Sequence, residues 1–240
     1  MRVTPGSRIV AAAVDEPYKY AINAAFGEPG SEQNPCDNGP REQVIQQTSQ
    51  RLAAGAAALK RISPLTRFWV NFTRFEIEWM QNADCLHLDT TNIDVISLDI
   101  YETQFNPSIA AYYDWILAHK APEQQVALIP GTFSGHANAQ TQAGLLSGFF
   151  SYAQAHNSTC NQPLGKRGVT GNFDRCPVWL VAGWLAGNSG DYLGLFHSSS
   201  APIANVWRQK VAEPIRPDLA KQLSRGKIVN PVLERQLLNE

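Results

Sequence analysis

Short apolar runs alternate with longer amphipathic stretches along most of the chain. The short runs consist almost wholly of apolar residues, which is typical of buried β-strands, whereas the longer stretches repeat apolar residues at helical spacing. The pattern predicts strands at residues 8–14, 66–73, 92–101, 124–133 and 176–187. It predicts helices at residues 41–62, 108–120, 139–156 and 201–212.

This alternation indicates an α/β fold with a parallel sheet, and two architectures fit it: a TIM-type (β/α) barrel and an open doubly wound sheet. In a barrel every strand's C-terminal end opens onto one mouth, whereas in an open sheet only the ends near the switch point meet. Nucleotide-binding glycine motifs are missing after the first strand. Polar or aromatic residues occur at the ends of all five strands, which favours the barrel: Asp15, Glu16, Asn71, Thr73, Asp99, Tyr101, Thr132 and Trp184.

A closed barrel of this type has eight strands, and the sequence supplies five. About three β-α units are therefore missing before residue 8, and the barrel is expected to be partial or truncated at its N-terminus. The alternatives are an open sheet, or two chains that complete each other as a homodimer. We assign residues 1–215 to the barrel-like domain and residues 216–240 to a helical or disordered tail, because the latter are charged and weakly periodic.

Two long connections, residues 18–40 and 157–175, are rich in Gly, Pro, Asn and Asp. Long connections in compact domains are often functional. We expect both of them to be loops that surround the mouth of the barrel.

The composition limits the class of partner. The formal net charge of the 240 residues is −1, and 17% of them are charged. Nucleic acids and membrane surfaces attract basic faces, so neither is expected as a partner, and a neutral ligand fits better. No apolar run is long enough to span a membrane.

The four cysteines, Cys36, Cys85, Cys160 and Cys176, all lie in loop-like sequence. No C-x-x-C pair is present, and the histidines show no metal-ligand spacing, so no metal or cofactor is expected. Disulfides joining Cys36 to Cys85 and Cys160 to Cys176 are predicted, although four free thiols are the alternative. Disulfides would place the protein in an oxidising compartment, secreted or periplasmic, even though residues 1–7 do not resemble a signal peptide.

The strand that ends in "VDEPY" resembles the fourth strand of the large clan of (β/α)8 glycoside hydrolases, in which the Glu before Pro is the general acid/base. The later strands are similar in order: "FWVNFT" to strand five, "DVISLDIY" to strand six, "VALIPGTF" to strand seven and "VWLVAGWLAG" to strand eight. The resemblance covers roughly residues 8–200. It implies a saccharide substrate, Glu16 as general acid/base, and Trp184 as a sugar-stacking residue.

The chain departs from the clan at strand seven, which in the clan ends in the nucleophilic Glu and here ends in "LIPGTF". The remaining candidates for a second carboxylate are Asp99, Glu102, Glu76 and Asp15. We select Glu16 and Asp99 as the catalytic pair. The candidate substrate-binding residues are Asp15, Asn71, Tyr101, Glu102, Thr132, His136 and Trp184.

Glycoside hydrolysis needs two carboxyl groups, one of which holds a proton near neutral pH. Glu16 follows an apolar strand beside another acid, so a raised pKa is expected there. Because successive side chains of a strand alternate, we expect only one of Asp15 and Glu16 to face the mouth.

Each assignment has a structural alternative. Asp15 and Glu16 could simply begin a helix before Pro17, and Asp99 could be a buried acid held by Arg67 or Arg74. At the level of the whole chain, a non-catalytic sugar-binding or degenerate barrel, or a fragment of a larger barrel enzyme, would also explain the missing strand-seven Glu. We expect a glycoside hydrolase-like enzyme acting on a neutral oligo- or polysaccharide.

Overall fold

The fold is a five-stranded parallel sheet in which strands alternate with helices. The structure is a computed structural model, and it describes residues 11–27, 35–37, 39–82, 85–88, 93–131, 138–158, 176–181, 193, 197–207 and 209–210. The strands are β1 Ala11–Asp15, β2 Arg67–Thr73, β3 Val95–Asp99, β4 Gln125–Ile129 and β5 Val178–Val181. The helices are α1 Pro17–Phe26, α2 Gly39–Ile62, α3 Arg74–Asn82, α4 Pro107–His119, α5 Ala139–His156 and α6 Ala201–Trp207.

The strands lie side by side in chain order, β1 to β5, and every neighbouring pair is parallel. Right-handed crossovers between strands in sequential order place the connecting helices on one face of the sheet. The apolar core agrees with this: one cluster contains side chains from all six helices together with one face of the strands, including Phe68, Val70, Phe72, Ile96, Leu98, Val126 and Leu128. A doubly wound sheet has helices on both faces, which the described elements do not show.

The opposite face of the sheet has a different composition. It carries Trp69, Asn71, Ser97 and Gln125, which alternate along their strands with the apolar residues of the core face. The described sheet is therefore singly wound, with a helix-covered apolar face and a face that bears polar and aromatic side chains. This arrangement is compatible with part of a (β/α) barrel.

The predicted strands and helices are present, although several are shorter than their apolar runs. Helix α5 begins and ends where the sequence pattern predicts, and Asn106 and Asn138 cap α4 and α5 by accepting hydrogen bonds from Ile109 N and Thr141 N. Helix α3 was missed, and α1 was foreseen only in the alternative that Asp15 and Glu16 begin a helix before Pro17. The prediction that residues 18–40 form a loop is wrong for residues 18–26, because α1 begins immediately after β1. The second predicted loop, 157–175, and the tail, 216–240, lie wholly or mostly outside the described residues.

Cys36 and Cys85 form the predicted disulfide, with their Cα atoms 5.7 Å apart. It joins the 3₁₀ turn Pro35–Asp37, which precedes α2, to the segment after α3. The second predicted disulfide involves Cys160, which lies outside the described residues, so that pairing stays a prediction.

Breaking the Cys36–Cys85 disulfide should lower the free energy of unfolding by about 2–4 kcal/mol, because the bond closes a long loop and so restricts the unfolded chain. The separation of the two cysteines is 49 residues. Urea unfolding of Cys36→Ser/Cys85→Ser against wild type measures this loss. Adding reductant to the double variant then isolates any contribution from Cys160 and Cys176. Equal stability of the double variant and wild type would contradict the prediction.

Two glycines of α5 provide a matched test of the packing between that helix and the segment after β3. A Cβ atom on Gly148 would lie 2.9 Å from Cγ of Phe105 and closer still to its Cβ, whereas one on Gly144 would meet nothing within 4 Å. We expect Gly148→Ala to lower the free energy of unfolding by about 1–3 kcal/mol through overpacking. Gly144→Ala should raise it by up to about 1 kcal/mol, because alanine favours helix. Thermal unfolding of both variants measures these changes in stability. An equal change in the two variants would refute the contact between Gly148 and Phe105.

Candidate active site

The chain passes from strand β1 into helix α1 at one residue, Glu16. Its N–H donates to Asn71 O at 2.8 Å, which extends the pairing with β2, and its carbonyl accepts from Tyr20 N at 3.0 Å, which begins the helix. Glu16 has φ 42° and ψ 50°, and it is the only non-glycine residue of the described chain with positive φ. Such a left-handed conformation costs an L-residue about 1–2 kcal/mol, and strain of this kind concentrates at functional sites.

A chain of hydrogen bonds between residues of strands β1, β2 and β3 holds Asp15. The Trp69 indole N–H donates to Ser97 Oγ at 2.6 Å, Ser97 Oγ donates to Asn71 Oδ1 at 2.6 Å, and Asn71 Nδ2 donates to Asp15 Oδ1 at 2.7 Å. Asn71 is the register partner of both Asp15 and Ser97. Because an indole nitrogen can only donate, the direction of every bond in the chain is set. The Asn71 amide therefore presents its NH₂ group to Asp15.

Asp99 lies at the end of β3, and its surroundings raise the pKa of its carboxyl group. Burial raises its pKa to about 7; a hydrogen bond from the Tyr101 hydroxyl opposes this rise, whereas the nearby carboxyls of Glu16 and Asp15 add to it. Oδ1 of Asp99 is buried and has no hydrogen-bond partner among the described residues. When one of Asp99 and Glu16 holds a proton, the two can share it in a hydrogen bond. Asp99 is therefore a candidate proton donor near neutral pH.

Glu16 is the partner of Asp99, and it is almost fully buried, with 7% of the residue exposed. Its Oε2 atom accepts a hydrogen bond from Lys19 Nζ at 2.7 Å, and the two form an ion pair. Together the residues provide one acid that can hold a proton, one ion-paired carboxylate, and a third carboxyl, Asp15, that is exposed. Groups of this kind can donate and accept protons at a substrate.

Tyr101 lies directly beside this group, and burial followed by the hydrogen bond to Asp99 raises its pKa above the ordinary value. Glu102 is half-buried. Burial and the hydrogen bond to Glu78 raise the pKa of Tyr112, on helix α4, to about 12, and the charge of Glu102 adds to this rise. Three further candidates lie outside the described residues and stay predictions: Thr132, His136 and Trp184.

One expectation about this turn needs correction. Strand alternation predicts that only one of Asp15 and Glu16 faces the mouth, but both carboxyls act on Asp99, because Glu16 has left the extended conformation. The structure places a raised pKa at Asp99, and it pairs Glu16 with Lys19.

The structural alternative for Asp15 and Glu16 is confirmed in that helix α1 begins directly after Glu16, at Pro17. The structural alternative for Asp99 is wrong. Arg74 pairs with Glu78 at 3.4 Å on its own helix. Arg67 lies six residues before Thr73, the register partner of Asp99, which is about 20 Å along the strand. Neither arginine is the partner that holds Asp99.

Glu76, a candidate for the second carboxylate, has a structural role. Its Oε2 accepts from Thr73 N at 2.6 Å while Thr73 Oγ1 accepts from Glu76 N at 3.1 Å, a reciprocal cap that begins α3. Its Oε1 accepts from Tyr18 N at 2.8 Å and Lys19 N at 2.9 Å, in the first turn of α1. Glu76 is fully buried, and burial raises its pKa to about 7, against the backbone N–H groups of Thr73, Lys19 and Tyr18.

The polar face also carries residues that the sequence pattern alone did not single out. The Arg67 guanidinium lies 4.8 Å from the ring centre of Trp179 and donates to Gln125, and Trp69 meets Trp179 edge to face at 6.1 Å. The sequence contains a signal for this second face. Four residues that are not aliphatic occupy alternate positions of β2: Arg67, Trp69, Asn71 and Thr73. A period of two in a strand that otherwise looks uniformly apolar marks a second face.

Neither a metal cluster nor a membrane span is evident in what the structure describes. Among the described residues, no group of three or more His, Cys, Asp or Glu side chains could hold a metal ion. None of the described helices is long and apolar enough to cross a membrane.

Comparison of the chain with protein-family models, with curated proteins and with solved structures gives no significant match.

The raised pKa of Asp99 predicts a pH dependence of stability. Between its ordinary value of 3.8 and about 7, the unfolded chain has lost a proton that the folded chain keeps, so the free energy of unfolding falls as pH rises. Asp99→Asn removes this contribution, and we expect a shallower fall across the interval. The fall should not vanish, because the pKa of Glu76 is raised in the same direction.

Urea unfolding at a series of pH values measures this slope. Glu123→Gln is the control, since Glu123 is exposed and precedes β4 at the far end of the sheet. It should keep the wild-type slope. An unchanged slope in Asp99→Asn would contradict the assignment of the raised pKa.

Proposed function

We propose that this chain is a glycoside hydrolase-like enzyme that cleaves a neutral oligo- or polysaccharide by carboxylate acid/base chemistry. The observation that carries the proposal is the grouping of Glu16 and Asp99, with Asp15 beside them, at the carboxyl ends of β1 and β3, the two strands that flank β2. We further infer that the singly wound sheet is part of a (β/α)8-type barrel, in which these strand ends face the mouth. The sequence resemblance of the Asp-Glu-Pro turn to that clan supports the same class.

In this mechanism Asp99 is the general acid. It holds a proton near neutral pH and gives it to the glycosidic oxygen as the bond to the anomeric carbon breaks. Glu16 and Asp15 supply negative charge beside the cation-like transition state, and one of them takes a proton from the attacking water. The proton lost by Asp99 is thereby replaced in the site from the water that is consumed.

The substrate must separate the two catalytic carboxyls. Groups that flank a glycosidic bond lie about 5 Å or more apart, whereas Glu16 and Asp99 are close enough to share a proton. Because the Glu16 carboxyl also contacts Lys19, we propose that the bound substrate turns it away from Asp99 while the ion pair is kept.

A neutral sugar suits the surroundings of the site. The chain has little charge, and Trp69 and Trp179 on the polar face are half-buried, so part of each ring is accessible. Aromatic rings present apolar surface together with a polar edge, which matches the mixed faces of a sugar ring. The Cys36–Cys85 disulfide supports a secreted or periplasmic location.

A second candidate function is binding of a saccharide without cleavage. The hydrogen bond that Glu16 and Asp99 can share favours it, because a pair that shares a proton lies closer than either hydrolytic geometry requires. The two functions differ in turnover, so one assay distinguishes them.

Release of reducing ends from a panel of neutral polysaccharides tests the proposal. We expect wild type to act on at least one of them. Asp99→Asn and Glu16→Gln should each lose about 10²–10⁴-fold of the rate, the usual contribution of a positioned acid or base. Glu123→Gln, at the other end of the sheet, should keep the wild-type rate.

Binding of the same panel, measured by calorimetry, completes the design. Binding without turnover by wild type would support the non-catalytic candidate. Turnover that survives in both Asp99→Asn and Glu16→Gln would refute the catalytic assignment.

A further inference from the structure

Helix α1 is capped by a residue from the next β-α unit. In most helices the side chain of the N-cap residue accepts the first free N–H groups. The N-cap of α1 is Glu16, and its side chain makes no capping hydrogen bond. Glu76, on α3, accepts from Tyr18 N and Lys19 N in its place, at 2.8 and 2.9 Å.

Because Glu76 caps α1, the Glu16 side chain is not needed as the cap of that helix. A capping side chain requires an extended backbone at the N-cap, and Glu16 is left-handed instead. Its carboxyl therefore makes no bond to the free amides of the helix, and it lies beside Lys19 and Asp99.

The Glu76 carboxylate also binds Thr73, the residue beside Asp99 on the neighbouring strand. Oε2 of Glu76 accepts from Thr73 N at 2.6 Å, and Thr73 is the register partner of Asp99 across β2 and β3. One oxygen of Glu76 thus fixes the turn that carries Glu16, and the other fixes the strand end that lies beside Asp99. Because Glu76 is fully buried, water cannot replace these bonds.

We propose that Glu76 is a positioning residue: by capping α1 in place of Glu16, it holds the Glu16 carboxyl against Asp99. The catalytic value of this positioning rests on the proposed function, but the positioning of Glu16 by Glu76 can be tested without any substrate. The groups that face the pair are Asp15 from β1, Lys19 from α1 and Tyr101 from the segment after β3.

A thermodynamic cycle between positions 16 and 76 tests the exchange of caps. Glu76→Gln keeps one acceptor oxygen and replaces the other with an NH₂ group, so it cannot serve Thr73 N and the α1 amides together. Glu16→Ser supplies α1 with a side-chain cap of its own once the backbone at position 16 takes the extended conformation that a cap requires. Glu16→Gly relieves the left-handed strain but has no side-chain oxygen, so it is the matched control.

We expect Glu76→Gln to lower the melting temperature in the wild-type and Glu16→Gly backgrounds, and by less than half as much in the Glu16→Ser background. If Glu76→Gln alone does not fold, folding of Glu16→Ser/Glu76→Gln gives the same support. An equal loss in all three backgrounds, or failure of Glu16→Ser/Glu76→Gln to fold when Glu16→Ser folds, would overturn the proposal.

A spectroscopic signature separates positioning from general stabilisation. The Asp99 carboxyl is followed by carbon-13 NMR across the pH range in wild type and in Glu76→Gln, or in Glu16→Ser/Glu76→Gln against Glu16→Ser if the single variant does not fold. With Glu76→Gln we expect the titration midpoint of Asp99 to move toward its ordinary value, because the Glu16 carboxyl is released. An unchanged midpoint in Glu76→Gln would show that Glu76 only stabilises the fold, and would overturn the positioning role.

In the Glu16→Ser pair the carboxyl at position 16 is already absent, so the midpoint should be the same with and without Glu76→Gln. A difference between them would mean that Glu76 acts on Asp99 by another route, against the proposal. These measurements need no turnover, so a chain that cleaves no saccharide can still show the coupling, and an active chain can lack it.

Discussion

The arrangement of the site depends on the absence of any linker between β1 and α1. Glu16 closes the last ladder bond of the strand and also accepts the first bond of the helix. A chain that must reverse direction at one residue has few backbone conformations available, and Glu16 adopts the left-handed one. The proline that follows favours the start of a helix at that point, since its fixed φ suits the first helical position. In the Asp-Glu-Pro sequence, Asp15 thus ends the strand, Glu16 reverses the direction of the chain, and Pro17 begins the helix.

Four carboxyl groups at this edge of the sheet are compensated by other groups, and for the buried Glu16, Glu76 and Asp99 this matters most, because buried acids are costly unless something compensates them. Each acid is compensated differently: Asp15 by the Asn71 amide, Glu16 by Lys19, Glu76 by three backbone N–H groups and Asp99 by the Tyr101 hydroxyl. For Asp99 this compensation is incomplete, and its pKa rises to about 7. An acid that keeps its proton at neutral pH, beside one that is ion-paired, is the combination that proton transfer requires.

The sequence predicted the elements with strong periodicity and the strand ends that meet. The convergence of parallel strand ends was enough to predict that Asp15, Glu16, Asn71 and Asp99 lie near one another. It could not predict the direction of the Glu16 side chain, because alternation holds only while the backbone stays extended. Helix α1 was foreseen only as an alternative, because its capping partner is 58 residues away along the chain. The cap of α3 was visible, since Thr73 and Glu76 have the spacing of a capping box. The contributions of Thr132, His136 and Trp184 stay predictions.

The central claim is that the turn at Glu16 brings its carboxyl against Asp99, so that the two hold one proton near neutral pH. Carbon-13 NMR titration of the Asp99 carboxyl in wild type and in Glu16→Gln tests this directly. The account predicts a midpoint near the value of about 7 in wild type and a lower midpoint in the variant, from which the neighbouring charge has been removed. A wild-type midpoint near 3.8, or one that does not respond to Glu16→Gln, would contradict it.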